Sequence, residues 1–299
     1  MKLHAWWRLL PVLLPLWASL ASAQGVITPT LDRIREHGAI YIGHREASIP
    51  FSYMSGDEAV GYSADICDRI VGAVREKLGI PTLKVVQVPT TSFSRLLLLM
   101  TGTIDLECGS TTNTKIRQQR IGFSVTTFVS GVKTLVRKES GIERINDLAG
   151  KVVVTTSGTT TERLVKTLLA ARNLPAARAK TASKHPESFA MVVSRQADAF
   201  VLDEPLLAGL LANSPDAGQL KLLEENFGFE PYAIGMRRDD PEFKKLVDDT
   251  IIGMMKSGEL EKLYNKWFMS PIPPNNVNLQ MPMSEMLRDL LRNPSDAGI

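Results

Sequence analysis

The feature that most constrains the fold of this chain is an alternation of strand-like and helix-like runs that occurs twice. In the first stretch, Leu31 to His37 has helical spacing and stops at Gly38, and Ala39 to His44 is an apolar run of strand length. Helical periodicity returns from Asp65 to Leu78 through Ile66, Ile70, Val71 and Val74, ending at Gly79 and Pro81. Leu83 to Val88 reads as a strand, Ser92 to Met100 as a helix and Ile104 to Cys108 as a third strand. The wind starts again after Gly131, with strands at Thr134 to Arg137, Val152 to Thr155 and Ala199 to Leu202. Between and after them come helices: one opened by the capping box Thr159-Thr160-Thr161-Glu162 and running to Arg172, one from Pro186 to Ser194, and one from Pro205 to Leu211. Consecutive strands separated by helices must cross over and pair in parallel, so the fold class is α/β with a mainly parallel, doubly wound sheet in each half. Tyr232 to Met236 is a further strand. Two helices follow, one capped by Asp240 and running to Lys256, the other from Glu259 to Phe268. The polar tail beyond Pro271-Ile272-Pro273-Pro274 is expected to wrap the surface.

The first residues are not part of this pattern. Lys2 and Arg8, a short apolar run broken by Pro11 and Pro15, and Ala21-Ser22-Ala23 make a secretory signal peptide cleaved after Ala23, which directs the chain to the periplasm. Of 299 residues, 23 are then lost and 276 remain, enough for two domains. The formal charge of +3 falls to +1 without Lys2 and Arg8, which excludes a nucleic-acid binder built on bulk charge. Four histidines without ligand spacing argue against a metal centre, and no motif calls for a cofactor. Cys67 and Cys108 are expected to be buried free thiols, the ordinary state of cysteines in apolar elements, although an oxidising compartment would permit a bridge.

Candidate binding groups gather at strand ends, where open α/β sheets collect ligands. Arg45 follows the first strand. Ser110, Thr112 and Arg117 follow the third, and Arg95 lies between them in sequence. Three guanidinium groups aimed at one crevice would receive a molecule with more than one carboxylate. The segment Thr155 to Thr160 joins a strand to a capped helix and is either an anion site or a plain helix cap. Asp203, after an apolar strand and before Glu204-Pro205, is either a helix N-cap or a cation receptor.

The ordered runs GHREAS with PFSY, VGYSADI, ECGSTTN with Arg117, VVVTTSGTT, Lys184-His185, FVLDEPLLAG, MRRDDPEFKKL and SGELEKLYNKWF with PIPP span nearly the whole mature chain. In these runs the sequence resembles the periplasmic solute-binding proteins of ABC-type polar amino acid importers, most of all their glutamate/aspartate-binding members. That resemblance implies two α/β lobes joined by two hinge crossovers, one lobe from 24–127 and 239–299 and the other from 128–238. It implies a monomer that closes on an acidic amino acid and delivers it to an ABC-type permease at the inner membrane. By matching position, Arg117 with Ser110 and Thr112 would hold the ligand α-carboxylate and Asp203 its ammonium. Arg45 and Arg95, with Ser92, would hold the side-chain carboxylate, while Thr156, Thr159 and His185 close from the second lobe. The three arginines and Asp203 sum to +2, a match for a ligand of net charge −1. Two rivals share the scaffold: a dehydratase of carboxylated substrates, with Glu46 or His185 as acid or base, and a sensor that docks to a receptor.

Overall fold

The computed structural model describes residues 28–171 and 178–299; the expected leader lies outside them, as does the end of the helix expected to reach Arg172. Two sheets organise the chain. In the first, the order is Lys84–Thr90, Ala39–Arg45, Leu106–Glu107, Gly235–Met236, Gly122–Phe123. The first three run parallel, with Ala39 to Arg45 paired in register from Lys84 to Thr90, and Gly235–Met236 inserts antiparallel. In the second sheet the order is Arg178–Ala182, Val152–Thr156, Ala199–Asp203, Phe128–Arg137, Leu220–Leu222, and Phe229–Tyr232 also pairs with Phe128–Arg137.

Several expected elements change length for identifiable reasons. The helix expected from Ser92 begins at Arg95, because the Thr91 and Ser94 hydroxyls each accept from the other residue's backbone N–H at 3.0 Å and fix a turn there. The expected strand at Thr134 extends back to Phe128, its inward positions Phe128, Ser130, Val132 and Thr134 alternating with less buried ones. The apolar run Tyr232 to Met236 is divided between two sheets. Phe229–Tyr232 belongs to the second and Gly235–Met236 to the first, so the chain passes from one sheet to the other at Ala233–Ile234. The tail contains a helix, Glu285–Arg292, capped by Ser284 and anchored by the buried Leu287.

The chain passes between the sheets at Ser124–Thr127 and again at Ala233–Ile234, and the two passages are tied together. Thr127 N–H donates to Tyr232 O at 2.8 Å and Ser124 N–H to Ile234 O at 3.0 Å. Phe128 and Tyr232, one at the end of each passage, pack edge-on against Phe51 at 4.8 and 5.0 Å between ring centres. Phe268 stacks on Phe128 at 5.0 Å, and the Tyr62 hydroxyl donates to Thr127 O at 2.9 Å. The crossovers therefore bear on a rigid aromatic cluster.

Cys67 and Cys108 are bonded, contrary to the expectation of free thiols. The helix Tyr62–Leu78 lies over the end of the third strand and brings the two Cα atoms to 6.2 Å, within bridging range. The bond fixes the start of the segment that carries Ser110, Thr112 and Arg117. A link across a sequence separation of 41 removes unfolded-state entropy worth up to about 4 kcal/mol. The double variant Cys67→Ala/Cys108→Ala should therefore melt roughly 5–10 °C lower in scanning calorimetry; an unchanged melting temperature would show that the bond contributes nothing.

Candidate ligand-binding site

The candidate residues converge where the two lobes face each other. Arg45 ends the first strand with its guanidinium donating to Ser92 Oγ at 2.9 Å. Arg95 opens a short helix and donates to Ser110 O at 3.0 Å, and Arg117 donates to Thr112 O at 2.9 Å. From the second lobe, the Thr156 hydroxyl meets His185 Nδ1 at 2.9 Å and Ser188 Oγ at 3.0 Å. Asp203 ends its strand at the N-cap position of the following helix, but its carboxylate makes no capping hydrogen bond and is left for another partner. Nine of the ten expected residues are buried, and Thr159 is half-buried. Among the described residues, no hydrogen bond reaches Nε of Arg45, Nε of Arg95, Nε2 of His185 or Oδ1 of Asp203. Buried polar atoms without partners are costly, and these belong to one constellation.

Thr159 is used differently. Its hydroxyl accepts from Glu162 N–H at 3.1 Å and donates to Thr156 O at 2.7 Å, while Glu162 accepts from Gly158 N–H at 2.8 Å. The expected capping box is only half formed: the Thr159 hydroxyl caps the helix and is committed to its start, while Glu162 reaches past the Thr159 N–H to that of Gly158.

The lobes are closed on each other. Arg117 reaches across to Gly158 O at 3.2 Å, and Lys184 pairs with Glu46 at 2.7 Å. Gly158 has φ +79°, and a Cβ there would lie 2.6 Å from Phe93 Cα, so only glycine allows the two backbones to meet. Beside Arg45, Thr91, Lys184 and His185 the remaining gap is about 10 Å³, about enough for one water. On the other side, a surface groove of about 600 Å³ runs past Arg117, Gly158, Thr160 and Glu230.

The sequence signature of the bacterial extracellular solute-binding proteins, family 3, matches residues 40–270. The chain is a family 3 solute-binding protein. It is 43% identical to a glutamate/aspartate import solute-binding protein of Salmonella typhimurium, over 90% of this chain and 89% of the relative. It is also 43% identical to an L-glutamate/L-aspartate-binding protein of Pseudomonas aeruginosa, over 93% of this chain and 94% of the relative. Among solved structures, an ancestral amino acid-binding protein described as a precursor of cyclohexadienyl dehydratase superposes with a TM-score of 0.66 at 30% identity, covering 80% of this chain and 99% of the other.

Two acids escaped the sequence reading of this solute-binding protein. Glu107 and Glu230 are both buried. Glu107 accepts from the Thr111 hydroxyl, and Glu230 accepts from the hydroxyls of Thr112 and Thr160, one from each lobe. With Asp203 they offset the three arginines in formal charge, which corrects the count of +2. Glu107 lies in the alternating run Ile104-Asp105-Leu106-Glu107-Cys108, where period two reads it as facing solvent, and Glu230 sits in a Phe-Glu-Pro run with no binding signature. Neither left a local signal.

Charge is unevenly distributed within this balance. Burial, and after it the Arg95 charge, pushes the Arg45 guanidinium down to about 9 and that of Arg117 to about 10, with Glu107 pulling both back up. Burial, then Glu230, holds the Asp203 carboxyl well above the usual carboxylate range. Burial, then Arg45 and Arg95, holds the His185 ring well below its ordinary value and keeps it neutral. In the unfolded chain His185 gains its proton near pH 6.5, while in the folded protein it does not. The stability tied to this ring is therefore intact above about pH 6.5 and lost as pH falls below it. His185→Gln should reduce the drop in melting temperature between about pH 7.5 and 5.5; a variant with the same slope would show that the ring does not carry it.

Proposed function

We propose that the protein binds L-glutamate or L-aspartate between its lobes in the periplasm and, as a monomer, delivers the ligand to an ABC-type permease at the inner membrane. The observation that carries this reading is the set of three buried arginines, from Arg45, Arg95 and Arg117, enclosed at the lobe contact with unpartnered donors. The names of the relatives at 43% identity support the same ligand. In this reading Arg117, with Ser110 and Thr112, holds the α-carboxylate and Asp203 the ammonium. Arg45, Arg95 and Ser92 hold the side-chain carboxylate, with Thr156 and His185 closing over it, while Thr159 contributes through the helix start it caps. The lobes are 28–127 with 235–299, and 128–234.

A neutral amino acid would leave guanidinium groups buried and unpaired, and a basic one would meet repulsion, so rejection comes from the groups that give affinity. Glu46 is no general acid or base here, because its carboxylate pairs with Lys184 and is open to solvent. Ligand contacts from both lobes exist only in the closed form, so ligand shifts the population toward closure. In thermal-shift titrations across the standard amino acids, only glutamate and aspartate should raise the melting temperature. Saturating glutamate should also reduce the radius of gyration in solution scattering. A shift with glutamine or arginine, or identical scattering curves, would overturn this assignment.

A further inference from the structure

The segment that carries Thr112 and Arg117 is held from outside the site by the end of the tail. Ile299 N–H donates to Asn113 O at 3.2 Å and Lys115 N–H donates back to Ile299 O at 2.9 Å, so the tail pairs with this segment like an added strand. Asp296 O accepts from Asn113 Nδ2 and from Gln118 Nε2, each at 2.9 Å. Gly298 lies so close that a Cβ would stand 2.9 Å from Thr114 C and 3.0 Å from Lys115 N. One step earlier, Ser295 O accepts from Thr126 N–H at 2.8 Å, inside the first hinge crossover. Asn113 is fully buried, and its N–H donates to Pro231 O at 2.7 Å, beside the second crossover.

We propose that Ser295–Ile299 is a positioning strap. It holds Asn113–Lys115 against both crossovers, and through that loop sets where Arg117 points. The helix that carries Arg117 is only Lys115–Gln118, too short to hold its own orientation, and its start is one of the strap's backbone contacts. Among the described residues no hydrogen bond joins the strap to a candidate ligand-binding residue, so its effect passes through the loop.

This inference rests on the proposed role of Arg117, and the test separates the two. L-Glutamate is titrated calorimetrically into the full chain, into Gly298→Val, which drives side-chain atoms into Thr114, and into a chain lacking residues 295–299. The expected result is a roughly tenfold weaker Kd for both variants, with the ligand-free proteins still folded by circular dichroism. In an Arg117→Lys background, removing the strap should change Kd less than twofold, because the group it positions is already displaced. Unchanged affinity in Gly298→Val and in the shortened chain would overturn the strap. So would an equal loss in both backgrounds, which would mark a general structural effect. Failure of the full chain to bind glutamate would instead remove the ligand reading, and the strap's role with it.

Discussion

Arg117→Ala is expected to weaken L-glutamate binding by about a hundredfold, the largest single loss in the site. Truncating one member of a buried, hydrogen-bonded charge pair costs about 2–5 kcal/mol, which spans roughly 30-fold to a few thousandfold in Kd. Arg117 should sit well inside this range because it acts twice. Its guanidinium donates to Thr112 O in its own lobe and to Gly158 O in the other, so it helps hold the closed form besides the role proposed for it on the ligand. Arg117→Lys should recover little, since an ammonium cannot span both carbonyls and a carboxylate with a planar fork. Isothermal titration gives the ratio directly; a loss below threefold would mean that Arg117 does not touch the ligand.

The contribution of sequence to this site differs by residue type. Arginines at strand ends were visible because the chain before them reads plainly as strand, and an α/β sheet then dictates where they lie. Arg45 is the last residue of Ala39–Arg45, as its position after an apolar run required. The acids were not visible, for a physical reason. Glu107 ends the third strand, and the alternation Ile104-Asp105-Leu106-Glu107-Cys108 reads its polar members as facing solvent, whereas in this interior strand both faces are covered. Glu230 lies in the strand just before the second crossover, where a five-residue apolar run is shared by two sheets and periodicity cannot assign either end. The edge strand Arg178–Ala182 was missed because its side chains are mostly exposed and carry no apolar stripe. The disulfide was misjudged because two cysteines give no geometry until the helix above them is placed.

The missed acids change what the arginines can be expected to do. Their formal charges balance, so attraction for an acidic ligand must come from where the charges sit. Arg95 is the residue that decides this, because its charge weighs on the other two arginines and on His185, lowering all three. Arg95→Met keeps the apolar stem and removes the guanidinium, so packing is largely preserved while repulsion at Arg45 and Arg117 falls. Two effects of opposite sign should follow. The ligand-free protein should melt higher than the parent by a few degrees, and L-glutamate should bind at least tenfold more weakly, since the guanidinium proposed to meet the side-chain carboxylate is gone. Calorimetric melting without ligand and titration with it measure the two on one sample. A variant that loses both stability and affinity would identify Arg95 as a packing residue, and one that keeps its affinity would take Arg95 out of the site. Only gain on the first axis with loss on the second fits a charge held under repulsion for the ligand.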